Sequence, residues 1–270
     1  MNSSERVVSE RVVLVTGSTR GIGRATAELF GASGYRVVVH GMRSEECDDT
    51  LHAIRGAGGH AGVVAADLTQ EEAPEYLINA ARAVYGRLDV LVNNAGANAF
   101  TGTLGTSIAE WQHAIDLDLR AVWLCSKAAA RSLERPGAIV NVASNHAFST
   151  MAGSFPYNVA KAGVVALGQS LALELTPDRI RVNTVCPGYI DTPINETYFG
   201  GFADPARERT RVEALHPVRR IGTPQDVARA IRFLADEQEA GFITGTSLLV
   251  DGGRSALMQD PDPGQAPTRP

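Results

Sequence analysis

The chain has 270 residues, 44% of them apolar, 20% charged and 6% aromatic, with a formal net charge of −5. That length suits one large domain with enough apolar residues to bury a core, and the acidic balance excludes a general nucleic-acid binder, which carries a basic excess. Three widely spaced cysteines, Cys47, Cys125 and Cys186, exclude a disulfide framework and a zinc site and read as buried thiols, so no metal is expected.

Residues 1–10 are polar, with Glu5, Arg6 and Glu10 where a secretory leader needs an apolar core, and no later stretch reads as long enough to cross a bilayer. A cytoplasmic protein with no membrane partner is expected. The first structural signal is Val12-Val13-Leu14-Val15, then Thr16-Gly17-Ser18-Thr19-Arg20-Gly21-Ile22-Gly23, then helix-forming residues 24–30. This order reads strand, glycine turn, helix. Glycines there permit positive φ and remove the Cβ atoms that would hold a pyrophosphate away from the N–H groups of the helix start. Such turns also serve plain packing.

Apolar runs at 37–39, 63–66, 90–92, 139–142 and 182–185 alternate with longer helical stretches. That alternation predicts an α/β fold with a parallel sheet covered on both faces. Within residues 154–163, Tyr157 precedes Lys161 by one helical turn, which puts an ammonium beside a phenol and favours the phenolate. Taken alone the spacing also fits a solvated surface pair. The mixed run Arg207, Glu208, Arg209, Arg211, Glu213 reads as a solvated helix face. Pro261, Pro263, Pro267 and Pro270 close the chain without periodicity, so the domain is placed at residues 11–256, with flexible termini at 1–10 and 257–270.

With Gly17, Gly21, Gly23, Asn93-Asn94-Ala95-Gly96, Ser144, Tyr157 and Lys161 in this order, the chain resembles the short-chain dehydrogenase/reductase family. Asp67-Leu68-Thr69, Pro187-Gly188, Ile243-Thr244-Gly245 and Val250-Asp251-Gly252-Gly253 extend the resemblance from about Arg11 to Gly253. It implies a single-domain Rossmann-type doubly wound sheet with helices on both faces. It also implies an oxidoreductase that interconverts a secondary alcohol and a ketone with NAD(P)(H). In that scheme Tyr157 exchanges a proton with the substrate oxygen, Lys161 lowers the phenol's pKa and holds the nicotinamide ribose, and Ser144 orients the substrate. The family's usual asparagine in the helix after the fourth strand is replaced by Asp118, which keeps the backbone carbonyl of a water relay but adds a charge near Lys161.

For the cofactor the resemblance implies Gly17, Ser18, Thr19, Arg20, Gly21, Ile22 and Gly23 around the pyrophosphate, Asp67 and Leu68 at the adenine, and Asn94, Ala95 and Gly96 along the adenosine side. Pro187, Gly188 and Ile190 complete the cofactor set, with Thr192 at the nicotinamide carboxamide. NAD users commonly carry an acid after the second strand, whereas this chain has Gly41 followed by Arg43 and Ser44, which with Arg20 suit a 2′-phosphate. NADP is therefore expected, with NAD the alternative. Asn145, His146, Phe148, Phe155 and Tyr189 are candidate substrate contacts, and Tyr198 and Phe199 candidate lid aromatics in the segment 194–217. Polar groups such as Asn98, Asn145 and His146 lean toward a small sugar or polyol, although His146 also reads as a polar loop residue. A 3-oxoacyl-[acyl-carrier-protein] reductase is the alternative enzyme, and a non-catalytic dinucleotide binder the alternative class. Small and apolar residues on the helices after the fourth and fifth strands, Ala128, Ala129, Ala130, Val164, Ala166, Leu167 and Leu171, suit close packing in a homotetramer or homodimer.

Overall fold

A computed structural model describes residues 11–257. The expected flexible termini therefore lie, apart from Leu257, outside the described residues. Strand β1 (Val12–Val15) is fully buried, as a central parallel strand with no solvent face must be. Its alternate side chains go to opposite sides of the sheet. Val13 and Val15 join a core with Phe30, Val37, Val39, Val92 and Ile231, while Val12 and Leu14 join one with Leu77, Leu91, Ile139 and Val182. Each fully buried side chain of this kind contributes about 1.5–3 kcal/mol, so two such layers carry the fold.

The chain continues through α1 (Gly21–Ala32), β2 (Arg36–Gly41), α2 (Asp48–Gly56), β3 (His60–Ala65), α3 (Ala73–Tyr85) and β4 (Val90–Asn93). It then runs through α4 (Ile108–Ile115), α5 (Ala121–Ser132), β5 (Gly137–Val142), α6 (Tyr157–Leu175) and β6 (Ile180–Pro187). The last part holds α7 (Pro193–Gly200), α8 (Pro205–Ala214), α9 (Pro224–Ala235), α10 (Glu237–Ala240) and β7 (Ser247–Val250). The seven strands are ordered β3-β2-β1-β4-β5-β6-β7 and all pair in parallel. Strand order reverses between β1 and β4, so the crevice beyond their carboxyl ends is where such a sheet binds a ligand.

Two elements differ from the sequence expectation. β7 has only four residues and is partly exposed along its length, so it lacks the buried apolar run that marks strands such as β1 and β2. The second is the helical run Tyr157–Asp178, which with 22 residues of mean hydropathy 1.2 meets the length and composition of a membrane span, against the reading that no stretch does. Its buried face (Ala160, Lys161, Val164, Gly168, Leu171 and Ala172) includes a charged lysine and faces the sheet. The helices α7 and α8 form a separate flap with a small core of its own, Phe199, Val212 and Ile221 against Tyr189.

Candidate active site

A cleft of about 1440 Å³ opens at the carboxyl ends of the strands. At its floor lies the turn after β1. Gly17 has φ +61°, and a Cβ there would lie 2.8 Å from the Ala95 Cα, so only glycine lets this turn touch the strand-β4 loop. Asn94 closes the junction: its Nδ2 donates to the Thr16 and Gly17 carbonyls at 2.9 and 3.1 Å, while the Asn94 and Ala95 amides donate to Thr16 Oγ1 at 2.9 and 3.0 Å. Arg20, at the N-cap of α1, makes no side-chain cap bond, which leaves the first-turn N–H groups available to an anion. This cradle fits a dinucleotide pyrophosphate. Further along, Asp67 Oδ1 accepts from the Thr69 amide at 3.0 Å and hydroxyl at 2.7 Å, and these bonds hold its carboxyl below the usual range. Asp67, Leu68, Asn94, Ala95, Gly96, Gly188, Ile190 and Thr192 all line the cleft, with Pro187 at the end of β6 beside them.

His40 belongs to this floor and has no counterpart in the sequence reading. Its Nδ1 accepts from the Gly17 amide at 3.0 Å, which fixes the tautomer in which Nε2–H donates to the Ala66 carbonyl at 3.1 Å. Burial lowers its pKa to about 4, so the ring is neutral at neutral pH. The signal in the sequence is a polar ring inside a strand of valines, which demands committed partners. Thr16 carries a similar signal, one hydroxyl at an apolar strand end, and it too is committed to backbone partners.

The other end of the cleft is built on β5, α6 and the helix after β4. Residues Asp116–Arg120 form a π-helical turn between α4 and α5. That turn carries Asp118, whose Oδ1 lies 3.1 Å from Lys161 Nζ, both residues nearly fully buried. Oδ1 also accepts from the Ala97 amide at 3.2 Å, and Lys161 Nζ donates to the Val142 carbonyl at 3.4 Å. The side chain of Asp118, beyond its backbone carbonyl, thus reaches the lysine. Burial alone would lower the Lys161 pKa, but the Asp118 charge and the Tyr157 phenol outweigh it and raise it. Lys161 Nζ sits 5.5 Å from the Tyr157 ring centre. Desolvation raises the Tyr157 pKa, against the downward pull of Lys161 and the Ser144 hydroxyl, and Asp118 adds to the rise. The direction is opposite to the lowered phenol expected from the sequence, because burial and Asp118 together exceed the lysine's effect. Ser144 Oγ accepts from the His146 amide at 3.1 Å and lines the cleft together with Tyr157, Asn145 and His146.

Several predicted contacts are placed elsewhere. Phe155 does not line the cleft; its ring stacks on Trp111 with centres 5.2 Å apart, because the loop turns it toward α4. Ser18 is buried under the turn, its hydroxyl accepting from the His40 amide at 2.9 Å and donating to the Val15 carbonyl at 2.8 Å. Arg43 and Ser44 lie off the cleft lining, and the exposed Arg43 guanidinium is held by Glu46 through bonds of 3.0 and 2.7 Å. Phe148 is exposed outside the lining, and Phe199 is buried in the flap core; Tyr198 does line the cleft. In place of Phe155, Phe100 meets the Tyr157 ring edge-on at 5.3 Å. Met151 also lines this end.

A family model described as Enoyl-(Acyl carrier protein) reductase matches residues 17–255. The chain is 42% identical to 3beta-hydroxysteroid dehydrogenase 1 of Eggerthella lenta, over 90% of this chain and 93% of that one. It is also 42% identical to cis-4-hydroxycyclohexanecarboxylate dehydrogenase of Sinomonas cyclohexanicum, over 92% and 98%. Among solved structures, a variant of actinorhodin polyketide ketoreductase with NADPH superposes with a TM-score of 0.85 at 33% identity, covering 92% of this chain and 98% of that one. The doubly wound sheet, the glycine cradle and these full-length likenesses agree: the chain belongs to the short-chain dehydrogenase/reductase family and is an NAD(P)-binding oxidoreductase of alcohol and carbonyl groups.

Proposed function

We propose that this chain interconverts an alicyclic secondary alcohol and its ketone, with NADP(H) preferred over NAD(H). The observation that carries the reading is the cluster of Tyr157, Lys161 and Ser144 at the end of β5, with Phe100, Met151, Tyr189 and Tyr198 forming an aromatic and thioether mouth above it. Those side chains suit a ring better than the sugar or polyol toward which the polar residues lean, and the two relatives at 42% identity are named for a steroid and a cyclohexane substrate. When bound, the nicotinamide supplies or accepts the hydride. Tyr157 takes the alcohol proton during oxidation and returns it during reduction, and Ser144 hydrogen-bonds the substrate oxygen. Lys161 favours the phenolate and would donate to the ribose hydroxyls of a bound cofactor. Asp118 acts through Lys161 as a positioning residue, fixing the ammonium while offsetting part of its charge.

The preference for NADP(H) rests on Arg20 at the cleft and on the missing acid at Gly41. Gly41 has a packing reason too, since a Cβ there would lie 2.7 Å from Thr19 Cγ2. The 2′-phosphate would draw Arg43 from Glu46. Assembly as a homotetramer or homodimer through α5 and α6 is supported by the exposed Trp123, Val159 and Leu173 on those helices, while Ala129, Val164 and Leu171 of the expected set are committed to the subunit's own core. The test is turnover of cyclic alcohols, sugars, polyols and a carrier-linked 3-oxoacyl substrate with each nucleotide. Fastest turnover on the carrier-linked substrate would overturn the alicyclic reading in favour of an acyl-carrier reductase.

A further inference from the structure

Arg254 follows β7 in the short turn Arg254–Ala256 and lies beside the cleft, outside its lining, against two residues that line it. Its Nη2 lies 3.9 Å from Met151 Sδ, and its guanidinium carbon lies 5.4 Å from the centre of the Tyr189 ring. Both partners line the cleft, and Tyr189 donates its hydroxyl to the same sulfur at 3.9 Å. Thioether and ring leave the charge of Arg254 uncompensated. The carboxylate three residues before it is committed elsewhere: Asp251 accepts from the Gly253 amide at 3.0 Å with Oδ1 and from the Ser255 amide at 2.8 Å with Oδ2. Among the described residues no carboxylate lies within ion-pair distance of Arg254.

Among the described residues the remaining charges of this end are paired. Lys161 is paired with Asp118, and Asp191 of the flap is paired with Arg209. His146, whose ring meets Tyr157 edge-on at 5.9 Å, has its pKa lowered first by burial and then by the charge of Arg254, which disfavours a second cation there. Among the described residues one net positive charge therefore stands beside this wall, on the residue type whose planar fork matches a carboxylate. A single cation matches a monoanion; a phosphate dianion would call for a second.

We propose that Arg254 sets specificity by binding a carboxylate on the substrate, at the far end of the wall from the reacting carbon at Tyr157. The inference rests on the placement of the reaction at Tyr157 and adds the substrate class: an alicyclic hydroxy acid or oxo acid. His146 and Tyr189 line the cleft nearby and offer polar groups to the ring.

Calorimetric titration of cyclohexanecarboxylate and cyclohexanecarboxamide into the full-length protein loaded with reduced nicotinamide cofactor tests it without requiring turnover. The carboxylate should bind about tenfold tighter or better than the amide, as a charged hydrogen bond implies. Arg254→Gln should erase that difference, and Arg254→Lys should keep part of it. Equal binding of the two probes by the unaltered protein, or a preference that survives Arg254→Gln, overturns the proposal. Tyr157→Phe separates it from the reading on which it rests, since that variant should lose reduction of 4-oxocyclohexanecarboxylate yet keep the carboxylate preference. Retained reduction by Tyr157→Phe would overturn the placement of the reaction and the proposal with it.

Discussion

At the cofactor end of the cleft, neutral groups do the positioning. Thr16, Asn94 and His40 hold the glycine turn through side-chain to backbone hydrogen bonds of 2.9–3.1 Å. At the catalytic end, two buried charges, Asp118 and Lys161, hold each other at 3.1 Å beneath the phenol. The difference teaches what each end can tolerate. A neutral network fixes shape and changes only when a member is protonated, whereas a buried ion pair fixes shape and also sets the proton affinity of its neighbour.

The largest effect should come from the phenol. Tyr157→Phe should lower kcat by about 10²–10⁴-fold, the range for removal of a general acid/base, with cofactor affinity retained in a fluorescence titration. Comparable turnover by the variant would move the chemistry off Tyr157.

Removing one partner of the ion pair should come next. Asp118→Ala strands the lysine and should cost about 3–5 kcal/mol in chemical denaturation. Asp118→Asn, which keeps an oxygen for Lys161, should hold kcat within about tenfold, or ~1.4 kcal/mol. The proton balance gives a second readout. Oxidation needs the phenolate, so kcat/KM for the alcohol rises with pH through the Tyr157 pKa. Asp118 raises that pKa, so Asp118→Asn should move the rise to lower pH. An unmoved profile would make Asp118 a packing residue only.

The neutral end predicts a different pH window. His40 titrates at 6.5 when unfolded and about 4 when folded. The unfolded chain therefore takes up the proton first on acidification, and the stability from a neutral His40, about 3 kcal/mol, is complete above 6.5 and lost as pH falls toward 4. Asp226, lowered from 3.8 to about 2 by the Arg220 pair and the Thr223 bonds, loses its contribution only below that window. Denaturant midpoints for the unaltered protein and His40→Asn from pH 7 to pH 4 should converge as pH falls. Parallel curves would show that another group carries the acid sensitivity.

The smallest effect falls at the edge of the cofactor end. Because Glu46 already holds Arg43, Arg43→Ala should weaken NADPH by no more than about 1.5 kcal/mol, the low end for a charged hydrogen bond, and leave NADH nearly unchanged. Glu46→Gln should strengthen NADPH by freeing the guanidinium. An equal loss for both nucleotides would remove Arg43 from cofactor choice.

The amino-acid sequence by itself determined the strands and the order of the motifs. Continuous β-branched runs such as Val37-Val38-Val39 can be stable only when both faces are covered, and a glycine turn between strand and helix marks where backbone must meet a phosphate. β7 escaped notice because a short edge strand is partly solvated and shows no such run. The pairs of the site have a mixed legibility. Tyr157 and Lys161 are four residues apart on one helix, so spacing alone brings them together. Asp118 and Lys161 are 43 positions apart in the chain, Gly17 and His40 are 23 apart, and Arg254 and Met151 are 103 apart; their contacts exist only because parallel crossovers return every strand end to one edge. Tertiary structure also decided the signs and destinations that local chemistry leaves open. Burial turned the expected fall of the Tyr157 pKa into a rise, Trp111 claimed the ring of Phe155, and Glu46 claimed Arg43. Each outcome depends on which distant group occupies the neighbouring space, and that is set by packing rather than by spacing along the chain.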